Sequence, residues 1–109
     1  MKAKNEFRMT VESRSVNESF VRSTVAAFAA QLDPTIEEIA DIKTAVSEAV
    51  TNCIVHAYAD KVGKIYIYAA VYDDNKIKIS IRDRGCGIED IEQAKTPLFT
   101  TLGGERAGL

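Results

Sequence analysis

SEAVTNCIVHAYA, residues 47–59, reads as the middle of an amphipathic helix, because Ala49, Val50, Cys53, Ile54 and Ala57 recur on one side of a 3.6-residue turn. Glu48, Asn52 and His56 stand inside it at four-residue intervals. Four steps of ~100° overshoot one turn by only about 40°, so these three side chains follow a shallow spiral along a single face. Such a polar stripe is ordinarily the solvated side of a half-buried helix. The residues on either side decide whether it is more.

Upstream, Ile36, Ile39, Ile42 and Val46 carry the apolar stripe back to Thr35, where Thr35 and Glu38 form a capping box. This long second helix is expected to end near Lys61 and Gly63. A first helix is predicted from Ser15, paired with Glu18 in another capping box, with Phe20, Thr24, Val25, Phe28 and Leu32 on one face. It stops before Asp33 and Pro34, since the residue preceding a proline is pushed out of the α region. Residues 6–12 alternate as a short strand, placed at a sheet edge. Downstream, KIYIYAAVY, Asp73-Asp74-Asn75 and KIKISIRD read as a hairpin. In its second arm Ile77, Ile79 and Ile81 point one way, and Asp83 shares their parity. Its carboxylate is therefore aimed into the apolar layer, where an unpaired charge is costly and something polar should meet it.

The chain has 109 residues, 46% of them hydrophobic, which suits one domain with a real core. Charges of both signs are interspersed and the formal net charge is -2, so direct nucleic-acid binding by bulk electrostatics is not expected. No run approaches the ~18 apolar residues of a membrane span, and MKAKNEFRMT lacks the apolar run of a secretory signal. The expectation is a cytoplasmic protein without membrane association. Cys53 and Cys86 have no metal-ligand spacing, and Cys53 reads as a small buried residue.

Asp83 opens DRGCG, in which Gly85 and Gly87 permit close backbone approach. Alone, that is an ordinary strand-to-loop turn. An inward acceptor beside open glycine backbone also suits a planar ligand with an exocyclic amine, such as adenine. PLFTTLGGERAGL then gathers Thr100, Thr101, Arg106 and Gly108 with further glycines, and is read as a mobile loop offering phosphate-binding amides, hydroxyls and a positive charge. Neither GxxxxGK[ST] nor GxGxxG is present.

The order of E-x3-N-x3-H helix, hairpin, D-x-G-x-G and glycine-rich Thr/Arg loop resembles the GHKL ATPase and kinase superfamily. NESFVRSTVAAFAAQLDPTIEEI, IKTAVSEAVTNCIVHAY, DRGCGIEDIEQAKTPLFTT and GERAGL are similar, more closely, to the anti-sigma F factors of spore-forming bacteria. The resemblance implies a two-layer α/β (α+β) sandwich of Bergerat type, with helices on one face of a mixed, mainly antiparallel sheet. It implies ATP and Mg²⁺ as cofactors, Asn52 as a Mg²⁺ ligand, and Glu48 as the group that orients or deprotonates the attacking hydroxyl. Asp83 would accept from the adenine amino group, with Gly85 and Gly87 shaping the pocket. Thr100, Thr101, Arg106 and Gly108 would close over the phosphates, and His56 has a minor place nearby. Arg22, on the exposed side of helix one, matches a partner-contacting arginine. The implied activity is that of a homodimeric serine protein kinase that inhibits a sporulation sigma factor and phosphorylates an anti-anti-sigma partner.

Two features depart from that pattern. Leu102-Gly103-Gly104 stands where the family lid carries a lysine, and the chain stops at Leu109 inside the second glycine box, before a helix and two strands that the family adds. A fragment or shortened form with an unprotected sheet edge, weak stability and reduced activity is the expectation. A nucleotide-gated sigma-binding module without phosphotransfer is the alternative. The catalytic domain of a histidine kinase fits less well, because no histidine precedes Ser47.

Overall fold

The computed structural model describes residues 2–57, 61–83 and 96–101, with the backbone alone at 56–57 and 96–101. The described elements are β1 (Asn5–Glu12), α1 (Val16–Ala29), α2 (Ile36–Asn52), β2 (Lys64–Tyr72), β3 (Lys76–Arg82) and β4 (Thr96–Thr101). A 3-10 turn, Ala30–Leu32, closes α1, and a π turn, Cys53–Ala57, closes α2. The strands form a sheet in the order β1-β2-β3-β4, and every described pairing is antiparallel.

Alternation places one side chain in two on the inner face, and the register aligns these into rows: Met9, Ile67 and Ile81 in one, Phe7, Ala69 and Ile79 in the next. Val21, Val25 and Ala29 of α1 and Ile42, Val46 and Val50 of α2 bury against the same rows. The result is a two-layer α+β fold with both helices on one face of the sheet, as the resemblance implies. Among the described residues strand β1 lies at an edge, in agreement with the sequence reading. Its exit is tied to the start of β2, where Gly63 N–H donates to Ser13 Oγ at 2.8 Å and Ser13 N–H to the Gly63 carbonyl at 3.0 Å. The β2–β3 turn works because Asn75 accepts a left-handed φ of 66°.

The capping box on α2 is present in full. Glu38 N–H donates to Thr35 Oγ1 at 3.1 Å and Thr35 N–H to Glu38 Oε1 at 2.8 Å. The matching expectation for α1 is overturned: Ser15 is itself helical and makes no side-chain cap. Glu18 turns its carboxylate to Arg22 and Ser47 instead, and the helix start is held by Asn17 Nδ2, which donates to the Glu12 carbonyl at 2.8 Å. The buried face of α1 also differs by a residue. Val21, Val25, Ala29 and Leu32 form it, while Phe20 is 52% exposed. Phe28 keeps a half-buried place, edge-on to Phe7 with centroids 4.8 Å apart. Ile36, expected in the stripe of α2, is 89% exposed in the first turn.

Two corrections bear on the site. The α-helix expected to run to Lys61 ends at Asn52, after which the chain winds as a π turn. Residues 96–101, read as part of a mobile loop, form β4 and pair with β3 from Ile81↔Thr96 to Lys76↔Thr101. Their threonines and phenylalanine favour extended backbone, and Pro97 is tolerated because β4 is at the sheet edge among the described residues.

Candidate functional site

The polar face of α2 holds Glu48 and Asn52 four residues apart and exposed. The i→i+5 winding of residues 53–57 widens the turn. The regular spacing behind the three-residue stripe therefore holds from Glu48 to Asn52 and stops there. The side chain of His56 lies outside the described residues.

Glu48 lines a groove between the two helices, together with Arg22, Ala40, Lys43, Thr44 and Ser47. Arg22 was expected on the exposed side of α1. It is half-buried instead, turned toward α2, with NH1 donating to Glu18 Oε2 at 2.9 Å and to Ser47 Oγ at 3.3 Å. Ser47 Oγ in turn donates to Glu18 Oε2. The guanidinium is thereby fixed beside the groove that Glu48 occupies, and part of its surface remains open for an anionic or polar partner.

Strand β3 ends at Arg82, and Asp83 follows directly. Ile77, Ile79 and Ile81 face the core, so the inward parity read from the sequence brings Asp83 to the boundary of the apolar layer. Its Oδ1 is buried with no hydrogen-bond partner among the described residues. The Cys53 thiol lies near this carboxylate. Burial, and then the hydrogen bond it donates to Asp83, push the Cys53 thiol up to about 12. Cys53 immediately follows Asn52, so Asp83 sits against the residue next to the exposed carboxamide. The reading of Cys53 as a small buried residue holds, while its nearness to Asp83 is not legible in the sequence. The inward parity of Asp83 was the one signal that a partner existed.

Of the other expected site residues, Thr100 and Thr101 are placed by their backbone in β4, at the edge beside β3. Gly85, Gly87, Arg106 and Gly108 lie outside the described residues. No group of three or more His, Cys, Asp or Glu among the described residues forms a metal cage. Mg²⁺ seldom needs one, because it keeps several waters and takes one or two protein oxygens beside phosphate oxygens. The exposed Asn52 carboxamide offers one such oxygen. A buried, unpaired acceptor at Asp83 likewise fits the amine edge of a purine.

The profile of the histidine kinase-like ATPase domain matches residues 10–109. The chain belongs to that family. Membership in the histidine kinase-like ATPase domain family implies a nucleotide site. Similar family members include proteins named Anti-sigma F factor. One, from Caldanaerobacter subterraneus subsp. tengcongensis, is 64% identical over 110 residues, covering 100% of this chain and 76% of the relative. Another, from Thermoanaerobacter sp. (strain X514), is 63% identical over the same span. A third, from Geobacillus kaustophilus, is 51% identical over 98 residues, covering 90% of this chain and 67% of the relative. Among the described residues, no helix is long and apolar enough to cross a membrane.

Proposed function

We propose that this chain is an anti-sigma factor that binds Mg-ATP and acts as a protein serine kinase. In this reading it is a cytoplasmic homodimer that holds a sporulation sigma factor inactive and phosphorylates a serine of an anti-anti-sigma partner. The observation that carries the nucleotide part is the buried Oδ1 of Asp83, unpaired among the described residues, with Cys53, the chain neighbour of Asn52, near its carboxylate. An acceptor left in that state costs ~1–3 kcal/mol unless a ligand donates to it. The sigma-directed part is supported by the name that the similar family members carry.

Bound Mg-ATP would supply the phosphoryl group and neutralise its charge as the bond to the leaving oxygen breaks. Asp83 accepts from the adenine amine and fixes the base. Asn52 contributes its side-chain oxygen to the metal. Glu48 stands in the open groove, where a serine from another protein can enter, and takes the proton of that hydroxyl as its oxygen attacks. Arg22, braced by Glu18 and Ser47 at the same groove, contacts the incoming protein. Thr100, Thr101, Arg106 and Gly108 are assigned to the phosphates, and Gly85 and Gly87 to the wall of the base pocket.

Incubation of the protein with labelled ATP and the anti-anti-sigma protein tests this directly. Phosphoserine is expected with the wild type and is expected to fall by on the order of a hundredfold or more in Glu48→Gln, the scale typical of a lost general base. A wild type that binds ATP and captures the sigma factor, yet yields no phosphoserine, would leave a nucleotide-gated binding module. Failure to bind ATP at all would remove both readings.

A further inference from the structure

We infer that the face of the sheet turned away from the helices is a docking surface for an extended, acidic segment of another protein, gripped by Arg8, Lys78 and Arg82 around the ring of Tyr68. This surface lies across the sheet from the groove that holds Glu48, and it does not depend on the nucleotide reading.

Alternation sends the apolar residues of β1, β2 and β3 into the core and leaves their neighbours on the outer face. On these three strands that face carries Arg8, Lys64, Lys76, Lys78 and Arg82 against Glu6 and Glu12. Five basic residues against two acidic ones leave a surplus of three positive charges, in a chain whose formal net charge is -2. The cations are therefore gathered on one side. Both acids are already engaged: Glu12 with Arg14 at 2.7 Å, and Glu6 with the Tyr68 hydroxyl, which donates to it at 2.6 Å, and with Arg8 at 3.8 Å. Lys76 pairs with Asp74 at 3.1 Å beside the hairpin turn, so the cluster that matters is Arg8, Lys78 and Arg82.

Arg8, Tyr66, Tyr68, Lys78, Ser80 and Arg82 line a groove of about 510 Å³, and none of its described lining residues is acidic. The Arg8 guanidinium carbon lies 4.6 Å from the centre of the Tyr68 ring and Lys78 Nζ 5.9 Å from it. Arg82 Nε donates to Ser80 Oγ at 3.3 Å, and Ser80 pairs across the strands with Tyr68. Three cations thus border one ring. An aromatic face holds a cation in place without neutralising it, so their charge stays available to a ligand. Their anchors stand on β1 and β3, two strand spacings or roughly 10 Å apart, wider than a single carboxylate or phosphate. An extended peptide with acids at alternate positions, ~7 Å apart, meets that spread, and the half-buried rings of Tyr66 and Tyr68 offer apolar surface to the stems between. A nucleic acid fits less well, because its longer run of phosphates would also meet the remainder of a net-negative chain.

The test titrates the full chain into a fluorescein-labelled peptide of alternating glutamate and serine, about ten residues long, and follows its anisotropy. Binding is expected, weakening as salt screens the charges, while a peptide of alternating lysine and serine does not bind. Reversing two of the cations together, Arg8→Glu with Lys78→Glu, is expected to lower the affinity by about tenfold or more, with circular dichroism unchanged. If that pair unfolds the chain, Arg8→Gln with Lys78→Gln removes the same charges more gently, and a loss of about threefold is expected. Lys43→Glu, on the helix side, is expected to have no effect. A loss with Lys43→Glu and none with the sheet variants would put the peptide in the groove between the helices and overturn the inference. So would an acidic peptide that does not bind at all, or an oligothymidylate of equal charge that binds more tightly. Sedimentation gives the last arm: a self-association that the wild type shows and the doubly substituted chain has lost would mean that a second copy covers this face, in place of an acidic partner.

Discussion

The Oδ1 of Asp83, unpaired among the described residues, is a liability for the folded chain that the proposed nucleotide would relieve. Asp83→Asn removes the charge while keeping the shape. We expect it to leave stability unchanged or raise it by about 1 kcal/mol in urea unfolding, while adenine nucleotides cease to bind. Cys53 supplies a pH signature. Its thiol is raised from 9.0 to about 12, so the folded chain holds this proton more tightly than the unfolded chain does. That contribution is complete below about pH 9 and is lost as pH rises towards 12. Unfolding midpoints measured from pH 7 to 11 should therefore fall more steeply in the wild type than in Cys53→Ala. Arg22 shows how a residue's setting can escape a linear reading. Helical periodicity along α1 cannot reveal that Ser47, 25 residues away, draws the guanidinium inward. Glu18→Ala removes the common anchor of Arg22 and Ser47 and is expected to cost about 1 kcal/mol, measured as a shift of the denaturation midpoint.

The two helix starts look alike in sequence and behave differently. At Thr35 both capping hydrogen bonds form, so Thr35→Ala is expected to lose ~1 kcal/mol in thermal or urea unfolding. At Ser15 the side chain caps nothing, and Ser15→Ala is expected to change stability by less than about 0.5 kcal/mol. Glu18 explains the contrast, because a carboxylate with an arginine one turn ahead and a serine on the facing helix has better partners than the amide behind it. Residues 53–57 differ from expectation for a related reason: nothing in their residue types forbids an α-helix, and the π winding is a choice of the folded context. Strand β4 was hidden by its glycine-rich continuation. PLFTT has the residues of a strand, but the free edge of β3 that receives it is visible only once the hairpin is folded.

In a sheet whose described edges are β1 and β4, covered by helices on one face, the groups proposed to bind nucleotide stand at the ends of elements and not in the core. Such sites gain stability when filled. Mg-ATP at a hundred times its dissociation constant should add ~2.7 kcal/mol to unfolding. A melting-temperature rise with Mg-ATP, absent in Asn52→Ala and Asp83→Asn, checks that coupling. The apolar periods, the hairpin with its Asp-Asp-Asn turn, the Thr35 cap and the inward parity of Asp83 were all legible in the order of residues. Each depends on neighbours within a few positions along the chain, where backbone geometry dictates which side chains meet. The burial of Val21 in place of Phe20, the inward Arg22, the π turn, β4, and the thiol beneath Asp83 were decided by packing. Their partners come from distant segments, and only the assembled layers bring such groups close enough for burial and hydrogen bonding to choose among them.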